Sequence, residues 1–169
     1  LRRGHAGTGL HFHFSPVRSG EHLAVRGPDG TLAQPAQWLI GGLVRLGAAL
    51  MAFGNRTEGS LIRLTQAREA PNAIVWGEFD RSALVRLPIV ATAEDGRAVS
   101  PPTIEFRLPD GSCHPHLLLA GAAQAMVEAM GVKDVAAVLE RTSVVALKRG
   151  AAEPVPVPTR FLEVAEALK

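Results

Sequence analysis

Tyrosine is absent from this 169-residue chain, and phenylalanine and tryptophan together make up only 5% of it. The aromatic platforms on which single-stranded nucleic acids stack are therefore missing. A single cysteine, Cys113, rules out an intrachain disulfide. Lysine is almost absent too: of 18 basic residues only Lys133, Lys148 and Lys169 are lysines, and the rest are arginines. The net charge of +2 is too small to mark a polyanion binder or a membrane-surface protein. Gly41, Gly42, Arg45 and Gly47 break the longest apolar stretch, Trp38 to Phe53. It falls short of the roughly 18 uninterrupted apolar residues of a membrane span. The N-terminus carries charges but no apolar signal region, so a reducing, cytoplasmic setting is expected. What remains is 47% hydrophobic with a mean hydropathy of +0.14, enough to bury a core within one domain. A chain that opens at Leu1 and reaches a glycine within four residues reads as part of a longer one.

Period-two alternation marks two strands with charged faces. In GLHFHFS (residues 9–15), Leu10, Phe12 and Phe14 share one side and His11 and His13 the other. In TIEFRL (103–108), Ile104, Phe106 and Leu108 oppose Glu105 and Arg107. Asn72 to Trp76 and Ser82 to Ile89 are β-rich and read as neighbouring strands. Asp29 and Gly30 favour a tight turn between Arg18 and Ala33. Pro35 to about Phe53 reads as a buried helix. His116 to Met130 is a second helix, opened by Pro115 and closed by Gly131, and Lys133 to Leu147 a third, begun near Asp134. Gly54 to Ala70 is polar and irregular and reads as a long loop, and Ala93 to Pro102 as a turn-rich connection. Pro154, Pro156 and Pro158 make an extended linker, after which Thr159 can cap a helix over Arg160 to Leu168. Residues 1–150 form the main body, and 151–169 a Pro-rich linker and C-terminal helix of the same domain.

Faces that carry charge must meet water, a ligand or each other, because isolated buried charges are costly. His11 with Glu105 suits a divalent cation, although neither charged pair has compact metal-motif spacing; solvent-facing residues of an antiparallel sheet are the plainer reading. Arg63, Arg81, Arg86 and Arg107 sit on loops or strand faces. They can clamp carboxylate and phosphate oxygens, or they can pair with Glu78, Asp80 and Asp110. Strict alternation would put Arg81 and Arg86 on opposite faces, so only a bend or a strand start brings both to one site. His5 and His22 read as exposed loop residues and Cys113 as a space-filler.

Five segments, in order, carry a family resemblance: GTGLHFHFS (Gly7 to Ser15), GNRTEGSLIRL (Gly54 to Leu64), EAPN (Glu69 to Asn72), DRSALVRLP (Asp80 to Pro88) and IEFRLPDGSCHPHLLLAG (Ile104 to Gly121). Together they resemble glutamine synthetase over about residues 5–130, and VPTRFLEVAEALK is weakly similar to a later helix of that family. The resemblance implies an α+β fold, an antiparallel curved active-site sheet backed by helices, and an incomplete catalytic domain of an ATP-dependent ligase. Such an enzyme phosphorylates the γ-carboxylate of glutamate and lets ammonia or another amine displace the phosphate. Carried over by position, His11 and Glu105 would bind Mg²⁺ or Mn²⁺, and His13, Ser15 and Arg86 would meet ATP. Gly7, Arg63 and Arg107 would hold glutamate. Arg81 would stabilise the transferring phosphoryl group, and Glu69 would shield the intermediate and take a proton from the amine.

Several positions depart from the family pattern. Ala6 stands for an asparagine, Leu61 and Ile62 for tyrosine and lysine, Thr103 for a basic residue, and His114 and His116 for the asparagine and tyrosine of an NPYL element. These changes leave the amine and the acid open. The family's other metal-binding glutamates and its N-terminal domain precede the matching region, and its last helices follow it. The chain is therefore expected to be inactive alone and to belong to a homo-oligomeric ring. A catalytically silent scaffold or regulatory relative is the alternative.

Overall fold

The computed structural model describes residues 7–23, 26, 27, 29–66, 69–95 and 97–169. His5 and Ala6 lie outside them. In chain order the elements are β1 (Phe12–Phe14), β2 (Val17–Arg18), β3 (Glu21–His22), α1 (Gln34–Gly54), α2 (Glu58–Thr65), β4 (Ala73–Glu78), β5 (Ala83–Leu87), β6 (Ile104–Phe106), α3 (Pro115–Met130), α4 (Val135–Arg141), α5 (Val144–Lys148) and α6 (Phe161–Ala167).

Apolar side chains and glycines all round make α1 the central helix, with Pro35 in the first turn, where a missing N–H costs nothing. It runs unbroken through its glycines, as the helix expected over Pro35 to about Phe53 requires. By length and composition alone α1 could cross a membrane, but 56% of its apolar window is buried inside the fold, where it packs on α3, α4, α6 and the sheet. Those glycines let neighbours approach. A Cβ at Gly42 would stand 2.1 Å from the Ala125 carbonyl oxygen of α3, whereas one at Gly47 would meet side chains alone, Leu84 at 3.3 Å and Ile74 at 4.0 Å.

The sheet runs in the order β1-β6-β5-β4. The expected antiparallel pairing holds for β1–β6 and β6–β5. It fails for β4, which runs parallel to β5 with a register shift between Ala73 and Trp76. The connection is only Phe79–Ser82, far shorter than the usual parallel crossover of a dozen or more residues. Phe79 adopts a left-handed φ of 58° to turn the chain, and Asp80 then accepts hydrogen bonds from the Ser82 N–H and hydroxyl. Register sorts the faces: Phe106 stands between Phe12 and Val85 on the core side, and Glu105 between His13 and Arg86 on the other.

Four further expectations are corrected. The loop expected over Gly54 to Ala70 contains α2. Thr57 and Ser60 form a reciprocal capping box, and Leu61 and Leu64, three apart, supply the buried face. The single helix expected from Lys133 is two: Asp134 caps α4, and Ser143 recaps α5 by accepting the Ala146 N–H. The proline-rich stretch is extended as expected, yet it is no free linker. Ile74 donates to the Val155 carbonyl and Val157 to that of Asn72, so it lies along β4. Arg160, not Thr159, is the cap residue of α6, and Glu163 accepts the N–H groups of both.

The two helix glycines should respond differently to substitution. Gly42→Ala forces a Cβ into backbone and should cost more than about 2 kcal/mol of unfolding free energy. In Gly47→Ala the gain in helix propensity, about 1 kcal/mol, offsets the squeeze on Leu84 and should leave stability near wild type. Urea denaturation of both variants checks the contrast.

Candidate functional site

The row on the polar face of the sheet converges on Glu105, whose side chain is only 2% exposed. Its Oε1 lies 3.0 Å from His11 Nδ1 and 3.7 Å from both His13 Nε2 and Arg107 Nε, and its Oε2 accepts a hydrogen bond from Arg86 Nε. Burial alone would raise its pKa. The His11 hydrogen bond, Arg86 and the charge of Arg107 outweigh that and bring it from the usual 4.5 down to about 2.

Arg107 is equally buried. Its Nη2 donates to the Glu69 carbonyl at 3.2 Å, while Nε and Nη1 make no hydrogen bond among the described residues. Burial lowers its pKa, Glu105 opposes that, and the charges of Arg86, Arg63 and Arg81 lower it further. Buried guanidinium donors left unpaired are costly, so this arrangement is set up for an anion. Arg63 comes from the buried face of α2 and donates from Nη1 to the Leu108 carbonyl at 3.1 Å.

These groups border a cavity of about 340 Å³ lined by Gly7, Gly9, His11, Arg63, Glu69, Arg81, Arg86 and Arg107. Arg81 reaches it because it lies in the turn before β5 rather than on the strand. Glu69, with a left-handed φ of 56°, closes one side. Gly9 must be small, since a Cβ there would stand 2.8 Å from Arg63 Nη2 and 3.1 Å from His11 Nε2.

Of the residues singled out in the sequence, Gly7, His11, Arg63, Glu69, Arg81, Arg86 and Arg107 meet here, with Glu105 beneath them. His13 and Ser15 are not in this lining. His13 bonds Thr103 Oγ1, the position where a basic residue was expected. Ser15 bonds His22 Nδ1 and borders a separate apolar groove with Trp38, Leu119 and Met126. Glu78 pairs instead with Arg26 and Asp80 with Lys148, while Asp110 accepts from Asn55 and Ser112. Sequence reasoning missed Asn55, 1% exposed, whose Nδ2 donates to the Leu108 carbonyl beside Arg63; its place in GNRTEGS was the only signal. His11 and Glu105 do not by themselves amount to a metal site. No cluster of three His, Cys, Asp or Glu side chains occurs among the described residues, and both Glu105 oxygens already face His11 or Arg86.

The lowered pKa of Glu105 ties stability to pH. The contribution is full above the unfolded carboxyl pKa near 4.5 and is lost as pH falls toward about 2. Glu105→Gln should cost about 3 kcal/mol at neutral pH, by stranding Arg107 and removing the ionised form, and the gap to wild type should close across that window. Urea melts of both proteins at a series of pH values read it directly; a constant gap would refute the assignment.

The sequence model of the family described as "Glutamine synthetase, catalytic domain" matches residues 2–169. The glutamine synthetase of Thermococcus kodakarensis is 41% identical over 130 residues, 77% of this chain and 27% of that protein. That of Frankia alni is 38% identical over 130 residues, 76% of this chain and 26% of that protein. The chain thus spans about a quarter of the length of these curated relatives. In fold it is similar to Plasmodium falciparum glutamine synthetase, with a TM-score of 0.71 at 21% identity over 95% of this chain and 38% of that one. An apo GmaS structure superimposes with a TM-score of 0.65 at 25% identity, over 96% of this chain and 35% of that one. The family model matches nearly end to end and the fold agrees, and on these grounds the chain belongs to the glutamine synthetase catalytic-domain family.

Proposed function

We propose that this chain supplies the anion-holding part of an ATP-dependent carbon–nitrogen ligase site. The observation that carries the reading is the pair of buried Arg107 donors without a hydrogen bond among the described residues, Nη1 and the Nε that Glu105 meets only at ion-pair distance, among four arginines around one cavity. In the reaction proposed, a carboxylate oxygen of glutamate takes the γ-phosphoryl group of ATP, giving γ-glutamyl phosphate and ADP. The nitrogen of ammonia or another amine then attacks the acyl carbon, the C–O bond breaks, and inorganic phosphate leaves.

Arg63 and Arg107 hold carboxylate oxygens, since each guanidinium keeps donors free beyond its one carbonyl acceptor. Arg81 and Arg86 balance the charge of the phosphoryl oxygens, a task of positioning and electrostatics rather than covalent chemistry. Glu69, at the exposed rim, screens the acyl phosphate from water and accepts the proton the amine releases. His13 and Ser15 are assigned to the nucleotide on family position alone. Mg²⁺ or Mn²⁺ would neutralise phosphate charge, but the described residues provide no complete site for it. The remaining ligands, the ring assembly and the cytoplasmic setting belong to this same proposal.

Calorimetric titration of the chain with inorganic phosphate and with L-glutamate tests the anion site. Arg107→Gln should weaken binding about tenfold or more, the scale of one charge-assisted hydrogen bond. Phosphate release from ATP by the complete gene product, with glutamate and a panel of amines, tests the ligase. Release that needs glutamate and one particular amine supports it, whereas anion binding without release from any amine would favour the silent scaffold.

A further inference from the structure

Arg63 is 3% exposed, yet it forms no ion pair within the described residues. The negative charge of Asp110, itself 4% exposed, is near enough to counter the effect of burial on Arg63. Two buried, opposite charges in such proximity would ordinarily close on one another.

What keeps them apart is a set of neutral donors. Ser112 gives both its N–H and its hydroxyl to Asp110 Oδ1, at 2.8 and 2.6 Å. Asn55 gives Nδ2 to Asp110 Oδ2 at 3.4 Å and to the Leu108 carbonyl at 3.0 Å. That same carbonyl accepts from Arg63 Nη1 at 3.1 Å. The amide orientation of Asn55 is forced, because both neighbours are acceptors, and its Oδ1 is left buried without a partner among the described residues. Carrying an orphaned oxygen costs stability, so a residue that does so merely to fill space is poorly chosen.

We propose that Asn55 is a positioning residue that insulates Asp110 from Arg63. Asp110 is satisfied by Asn55 and Ser112, Arg63 is anchored by a neutral carbonyl, and the free donors of Arg63 stay turned to the cavity past Gly9. Without Asn55 the Asp110 carboxylate captures Arg63 and the cavity loses one of its four cations. This rests on the reading of the cavity as an anion site.

The test is calorimetric titration of the full chain with inorganic phosphate, for wild type, Asn55→Ala, Asp110→Asn and the double variant. Asn55→Ala should weaken phosphate by about tenfold. Asp110→Asn, which has no charge to offer Arg63, should bind as wild type or more tightly, and adding it to Asn55→Ala should restore most of the loss. A purely structural role would make the two losses add, so a double variant no better than Asn55→Ala overturns the inference. If Asn55→Ala does not fold, Asn55→Ser takes its place, and weaker binding by Asp110→Asn alone overturns the inference equally. Wild type that ignores phosphate would refute the anion-site reading first, whereas wild type that binds and Asn55→Ala that binds as well refute this inference only.

Discussion

Four arginines around one cavity repel each other, and a carboxylate that scarcely touches water is what lets the sheet hold two of them. Glu105 lies opposite His13 on one side and Arg86 on the other, with Arg107 just past the end of its own strand. His11, Arg86 and Arg107 keep it charged, and it in turn offsets the effect of burial on Arg107. The register of β1, β6 and β5 therefore serves electrostatics as much as packing. A slip of one residue would bury the His13–Glu105–Arg86 row in the core and expose Phe12, Phe106 and Val85.

That polar face needs a stiff backing, which α1 and α3 provide. Gly42 brings their backbones together, and Phe106, Leu84 and Ile104 fill the layer between helices and sheet. Arg63 is delivered by a third piece, α2. The Thr57–Ser60 cap joins Ser112 through a hydroxyl contact, and Ser112 is in turn held by Asp110. The arginine-bearing helix and the turn before α3 are thus one polar unit.

Much of the site could be read from period-two patterns. LHFHF and IEFR put His11, His13, Glu105 and Arg107 on the polar faces of their strands, where the structure has them. Helix α2 was not legible because its start is written in hydroxyls and its buried face has only Leu61 and Leu64 between charges. The parallel course of β4 was invisible for another reason: strand propensity says nothing of direction, and a four-residue return through a left-handed Phe79 is an exception to the usual crossover. Asn55 escaped notice because its importance lies in two acceptors brought to it from Leu108 and Asp110, more than fifty residues away.

The pairing of β1 with β6 has a kinetic side. The His13–Thr103 hydrogen bond spans 90 residues of sequence, and the cavity takes its walls from both ends of that loop. Contacts so distant form slowly, because chain entropy must be given up before they repay it. Helices α1 and α3 can each form on local contacts before β1 and β6 pair. Until then Glu105 lacks His11 and His13, and the arginines have no closed cavity. Anion affinity would consequently emerge only with the last stage of folding, so a ligand that binds there acts on the finished protein and leaves its precursors alone.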